Sequence, residues 1–242
     1  MALPSDGTTT APSKGGLFED VVDVFVRPKE LFERYRAGNF VKPALVQMIF
    51  MLVVGLAAMS LMAPYYEAEM LRGMRQSGQP MPEGAAGMMG TMAKVTSVVG
   101  SAIAPWLIAI FGGLATWIAA KILGAQMGFK QAATIASWSY MPSAILGMLT
   151  LAIFGAVSDP TTIRGIVDGQ LGLGRFFDPE TTAPVLVALL QQIDIFAIWG
   201  LFITAIGVMV IARKDMGTGI LVAIIRFAIA SLFTIVPALL RG

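Results

Sequence analysis

Five stretches of this sequence are apolar over lengths near or above the ~20 residues a helix needs to cross a ~30 Å hydrocarbon core. They run from about 43 to 63 (ending before Pro64), 95 to 123, 131 to 156, 185 to 211 and 218 to 240. A backbone in lipid satisfies its polar groups by forming helices, so the expected fold is all-α. It is a polytopic membrane bundle of five transmembrane helices within residues 37–242. Composition agrees: 56% of residues are hydrophobic and 13% charged, with a mean hydropathy of +0.76, where soluble domains are about 25% charged. Segments two to four are long, which implies tilt or ends that extend beyond the hydrocarbon. Linkers 64–94 and 157–184 are long and rich in Gly, Pro and acidic residues, whereas 124–130 and 212–217 suit simple helical hairpins.

Residues 1–16 carry no apolar run and read as a disordered cytoplasmic tail. Residues 17–36 are too charged to span. Leu17, Phe18, Val21, Val22 and Phe25 cluster at helical spacing, with Glu19, Asp20 and Asp23 on the other side. Pro28 suits a first helical turn, and Leu31, Phe32 and Tyr35 continue the apolar pattern. The segment reads as one or two interfacial amphipathic helices lying along the membrane; the alternative is a soluble helix packed on a partner domain.

Positive charge sets the orientation. Lys14, Arg27, Lys29, Arg34, Arg36 and Lys42 lie at the N-terminal end. Lys121, Lys130, Arg213 and Lys214 flank the short linkers on the same side, making ten. Six lie opposite, Arg72, Arg75, Lys94, Arg164, Arg175 and Arg241. This predicts a cytoplasmic N-terminus and an outside C-terminus.

The chain has no cysteine and no histidine. That excludes disulfides, thiolate nucleophiles, imidazole bases and the usual zinc and haem ligands, so no cofactor or metal is expected. A net charge of +2 without a basic block gives no sign of nucleic acid. Ser97, Ser101, Ser137, Ser139, Ser143 and Ser231 lack a histidine base, and a Ser–Lys dyad on Lys94 or Lys121 has no motif around it. The chain therefore reads as a non-enzyme. Its sixteen methionines read as packing material, with Met88, Met89 and Met92 the nearest approach to a soft-metal pattern. Asp159, Asp168, Asp178 and Glu180 match no calcium spacing and read as a solvated loop.

Helices in lipid pack through small residues. Gly112, Thr116, Ala120 and Gly124 recur at four-residue steps in the second segment. Ala197, Gly200, Thr204 and Gly207 share a side of the fourth, and Gly219, Ala223, Ala230, Thr234 and Pro237 a side of the fifth.

Charge inside a span costs about 2.5–3.5 kcal/mol even on lenient scales, so Asp194 and Arg226 stand out, with Gln191 and Gln192 beside the former. Asp194 reads as the only carboxylate deep in a span, which leaves a two-aspartate protease site without its second member. From the turn joining segments four and five, Asp194 lies ~25 Å away and Arg226 ~12 Å. The ~13 Å difference argues against a direct salt bridge. The alternative is that Arg226 snorkels toward the cytoplasm while Asp194 reaches the outer headgroups.

Three stretches carry a resemblance: RPKELFERYR before the first span, GFKQAATIASWSYMPSAILG opening the third, and QQIDIFAIWGLFITAIGVMV across the fourth. With the five-span layout they make the chain similar to the bacterial branch of the Yip (Ypt-interacting protein) domain family over roughly residues 17–240. Pro28, Tyr140, Pro142, Asp194, Phe196 and Trp199 are the positions that map onto the family pattern. The resemblance implies the family's fold and a cytoplasmic N-terminus. Eukaryotic relatives associate with Rab GTPases in vesicle traffic. That role does not carry over, because the long N-terminal region and the DLYGP-type motif are missing. Pro142 also has a structural reading, as a kink whose freed carbonyls Ser139 and Ser143 can satisfy.

Two functions are expected. The first is a non-enzymatic scaffold or adaptor in a bacterial cytoplasmic membrane, binding lipids, other membrane proteins or a second copy of itself. The second is a small transporter, permease subunit or lipid scramblase using Asp194, Arg226 and Gln191, with helix breaks at Pro105 and Pro142.

Overall fold

The structure, a computed structural model, describes residues 16–76, 85–178 and 181–239. The expected tail, apart from Gly16, lies outside the described residues, as do Glu180, Arg241 and the side chains of Met88, Met89, Lys94 and Ser97.

Helices α1 (Leu17–Val26) and α2 (Pro28–Arg34) form an N-terminal pair. Pro28 opens α2, where its missing N–H would have no helical partner anyway. The pair decides which side of this segment turns toward the bundle. Asp20 and Asp23 are 1% and 0% exposed, whereas Leu17, Phe18, Val22 and Val26 point outward, Phe18 at 80%. Buried charge persists only when paired, and here it is. Asp20 accepts from Arg34 Nε at 3.1 Å and Nη2 at 2.7 Å, from Tyr35 Oη at 2.6 Å and from Lys42 Nζ at 2.5 Å. Arg34 Nη2 also reaches Asp23 at 2.6 Å, and Arg27 lies 2.9 Å from its other oxygen.

The first apolar segment does not stop before Pro64. Helix α3 (Val41–Ala57) bends by 93° into α4 (Met59–Gln76), which runs on through Pro64. Helix α4 carries Glu67, Glu69, Arg72 and Arg75, charges that would be costly in hydrocarbon. Tyr65 anchors it, fully buried against Met62, Leu151 and Ala152. The crossing is tight: a Cβ on Gly155 would lie 2.0 Å from the Leu61 carbonyl oxygen.

Helix α5 (Ala85–Leu107) continues through a π-helical turn, Ile108–Gly112, into α6 (Gly113–Ile122). Helix α7 (Phe129–Pro142) likewise passes through Ser143–Gly147 into α8 (Met148–Val157). Pro105 and Pro142 therefore do not break their helices. Each removes one N–H donor, and the register shifts to a wider turn just after it. The carbonyl that Ser139 satisfies is that of Ala136, at 3.0 Å.

Helix α7 is the hub, buried continuously from Ala132 to Ser139. A Cβ on Gly113 would lie 2.7 Å from the Ala133 Cα, and one on Gly200 would lie 2.5 Å from the Ser139 carbonyl. Phe32, Ile135, Trp138, Ile203 and Val208 complete this core.

The fourth apolar segment is interrupted. Helix α9 (Pro184–Leu190) ends before Gln191, and α10 (Ile195–Ile211) begins after Asp194. The loop 158–178 folds into three 3₁₀ turns and lends backbone partners to the break. Leu173 N–H donates to Ile193 O at 2.9 Å, and Ile195 N–H to Leu171 O at 3.3 Å. Val167 anchors this loop by burying its side chain, while Asp159 and Asp178 stay exposed. Helix α11 (Met216–Leu239) closes the bundle, crossing α10 where a Cβ on Gly219 would lie 2.4 Å from Ala205 O.

Among the described residues, three helices are long and apolar enough to cross a membrane: Val98–Ile122, Phe129–Val157 and Met216–Val236. The bent α3–α4 pair makes a fourth if it counts as one span, and α10 is apolar but only 17 residues long. The expected five are not reached by length and composition, because two of the segments bend or break.

Candidate functional site: a cavity between Asp194 and Arg226

A cavity of about 410 Å³ opens beneath the 158–178 loop, with walls from α4, α7, α8, α10 and α11. Its lining includes Tyr66, Tyr140, Ser143, Gln192, Asp194 and Arg226, set among apolar side chains. Ser143, Ala144 and Gly147 of the π-helical turn after Pro142 form part of the wall, so the wider turn shapes the space.

Arg226 sits at the inner end. Its Nη1 donates to Thr204 Oγ1 at 2.6 Å and to Ser139 Oγ at 3.1 Å. Both hydroxyls are positioned by their own helices: Thr204 donates to Gly200 O at 2.9 Å and Ser139 to Ala136 O at 3.0 Å. With their hydrogens committed, each turns lone pairs toward the guanidinium. Gly112 leaves room beside it, since a Cβ there would lie 3.6 Å from Arg226 Nη2. Among the described residues no carboxylate pairs with this cation.

Asp194 occupies the mouth and is not inside a helix. It adopts an extended backbone (φ −124°, ψ 166°) and caps α10, its Oδ1 accepting from the Phe196 and Ala197 N–H groups at 2.7 and 2.8 Å. Asp194 therefore stands at a helix start and not within a continuous helix, as suits a capping aspartate. Ten residues of α10 separate Asp194 from Thr204, a rise of ~15 Å between their Cα atoms, and among the described residues no ion pair joins the carboxylate to the guanidinium. The two line one cavity without forming a salt bridge.

Gln191 does not join the site. Its amide nitrogen is buried without a partner, and Gln192 takes the linking role. Gln192 donates to Ala188 O at 3.0 Å and Thr234 Oγ1 at 2.7 Å, and accepts from Ser231 Oγ at 3.0 Å, tying the break to α11. Of the motif positions, Tyr140, Pro142, Asp194 and Phe196 lie at or beside the cavity. Pro28 and Trp199 meet elsewhere, in a groove between α2 and α10 that Phe202 and Ile206 also line.

The small residues divide by role. Gly112, Thr116, Ala120, Gly200, Gly207, Gly219 and Ala223 lie at helix contacts, with Thr116 and Ala120 fully buried. Gly124 is a correction: no atom lies within 4 Å of its would-be Cβ, and its φ of +63° makes it a helix-ending residue. Gly113 and Gly155, also at close backbone approaches, were not legible as contact points from spacing. Ser139 and Thr204 as partners of Arg226 were also missed, although Thr204 follows Gly200 by the four residues that place it on the same face. Lys121 lies 5.5 Å from the Trp117 ring centroid, so it stacks on an aromatic face instead of approaching a serine. Asp159 caps a turn through Thr161 and Asp168 pairs with Arg164, so these two loop acids have structural roles.

The Yip1 domain family matches residues 22–236 of this chain. The membrane protein YknW of Bacillus subtilis (strain 168) is 26% identical over 247 residues, covering 96% of this chain and 94% of that protein. No solved structure matches.

Proposed function

From the premise that the chain belongs to the Yip1 domain family, we propose that this integral membrane protein is a non-enzymatic scaffold. It binds lipids and other membrane proteins through its bundle and its N-terminal helix pair. One observation carries the reading. The acidic side of α1 is locked inward on Arg34 and Lys42, and Leu17, Phe18, Val22 and Val26 face out. Leu17 shares a shallow apolar surface with Val41, Leu45, Ile49 and Val53 of α3, so the exposed face continues a side that suits lipid. In this reading α1 lies at the cytoplasmic face of a bacterial membrane. The chain crosses five times, with α3–α4 and α9–α10 each one interrupted crossing, and ends outside.

The test is a Phe18→Trp variant in proteoliposomes, with a photocrosslinking residue placed separately at position 18 and at Glu30. Quenching of that tryptophan by brominated lipid, beyond the wild-type background, supports the reading, as do crosslinks to lipid or membrane protein from position 18 and none from position 30. Unquenched, water-like emission with no crosslink from position 18 overturns it.

A further inference from the structure

We propose that the cavity between Asp194 and Arg226 is a binding site for the anionic head, a phosphate or carboxylate, of a ligand that also carries an apolar tail. The inference rests on the lipid-binding reading above but concerns a different surface, the inside of the bundle.

An arginine has five N–H donors. Arg226 spends two of them on Thr204 and Ser139, both neutral, which leaves three on Nε and Nη2 without an acceptor among the described residues. A cation held in an apolar bundle without a counter-charge is costly, and it persists where something supplies the missing charge. Asp194, which lines the same cavity, forms no ion pair with Arg226 and spends one oxygen on the α10 cap. The guanidinium fork also matches the oxygens of phosphate and carboxylate, with two parallel hydrogen bonds in reach of one head.

The rest of the cavity sets the class further. Its volume, about 410 Å³, is within the range of small-ligand sites. Ser143 and Tyr140 offer hydroxyls on the wall, while Met148, Leu151, Leu201 and Phe227 offer apolar wall for a chain of methylenes. A bare inorganic anion would leave that wall unused. Asp194 at the mouth disfavours a second negative charge there, so the ligand carries its anionic group at one end only.

The experiment uses the full chain purified in an uncharged maltoside detergent. Phosphatidylglycerol, phosphatidylcholine, octyl phosphate and inorganic phosphate are titrated separately, with bound mass read by native mass spectrometry and stability by thermal shift. One equivalent of phosphatidylglycerol or octyl phosphate is expected to bind at least tenfold more tightly than phosphatidylcholine. Phosphatidylglycerol alone identifies a bilayer lipid as the source, and octyl phosphate alone a smaller amphiphile; either supports the site. Arg226→Gln should abolish the preference and Arg226→Lys retain part of it. Ala230→Trp, which fills the cavity from its rim and leaves Arg226 in place, should block binding. Equal binding of phosphatidylcholine, inorganic phosphate binding as tightly as octyl phosphate, or binding that survives both Arg226→Gln and Ala230→Trp overturns the proposal. Failure here with Phe18→Trp still quenched by bilayer lipid sinks the cavity site alone. Loss of the quenching with anion binding intact sinks only the reading of α1.

Discussion

Arg34 holds Asp20 through two nitrogens, at 3.1 and 2.7 Å, across fourteen residues of sequence. The same guanidinium reaches Asp23, so one side chain of α2 bridges both buried carboxylates of α1. Removing it leaves two carboxylates buried with too few donors, a loss that typically costs about 3–5 kcal/mol. Arg34→Gln is therefore expected to release the helix pair from the bundle before the bundle itself unfolds. Limited trypsin digestion should show it as faster cleavage at Lys29 and Arg36, with the remaining core resistant. Unchanged cleavage would mean that apolar packing of Leu31 and Phe32 suffices to hold the pair.

The same cluster predicts acid sensitivity. Burial pushes the Asp20 carboxyl up, but hydrogen bonds from Lys42, Tyr35 and Arg34 outweigh it and hold the group below its ordinary value of 3.8. A lowered folded-state value adds stability that is fully present above about 3.8 and is lost as the pH falls through the depressed value. Docking of α1 should be constant from neutral pH down to about 4 and weaken below it. Trp138, buried edge-on to Tyr35 at 5.4 Å, is the reporter. Its emission should shift to the red in that acid range, and Tyr35→Phe, which removes one donor, should move the shift to higher pH.

Asp194 should behave as a cap and not as half of an ion pair. Asparagine caps helices about as well as aspartate, so Asp194→Asn should change thermal stability in detergent little, whereas Asp194→Ala should cost about 0.5–2 kcal/mol. Combined with Arg226→Gln, the effect of Asp194→Asn should add to within ~0.5 kcal/mol, as expected for groups that share no hydrogen-bond partner. A larger non-additive term would require a coupling that the geometry does not show.

Backbone contacts predict which glycines tolerate a methyl group. Gly113→Ala and Gly219→Ala place a Cβ 2.7 and 2.4 Å from backbone atoms of neighbouring helices, and each should lose about 1–3 kcal/mol. Gly124→Ala has space but a φ of +63°, so a cost of about 1–2 kcal/mol comes from conformation alone. Gly73→Ala, in open space within α4, should be neutral or stabilising by up to about 1 kcal/mol. Thermal unfolding of the four variants in one detergent checks the ranking.

The helices themselves were legible from the sequence. The short turns near 124–130 and 212–217, the long third and fifth apolar helices, and the contact roles of Gly200 and Gly219 follow from segment length and four-residue spacing. The resemblance carried by Pro28, Tyr140, Asp194 and Trp199 led to the family that matches residues 22–236. Periodicity also separated the acidic side of α1 from its apolar side. What it could not decide is which side turns inward, because the surroundings of a membrane protein are apolar too and hydropathy no longer tells inside from outside. That was decided by donors far along the chain, such as Lys42 Nζ on Asp20 across twenty-two residues. The 93° bend after Ala57, the break at Asp194 and the pairing of Arg226 with Thr204 and Ser139 arise in the same way. Each depends on a partner that only the folded bundle brings near: Gly155 beneath Leu61, the 158–178 loop beside Ile193, and two hydroxyls whose hydrogens are already taken. Local spacing set the faces of the helices, and the tertiary structure chose what each polar group on those faces would meet.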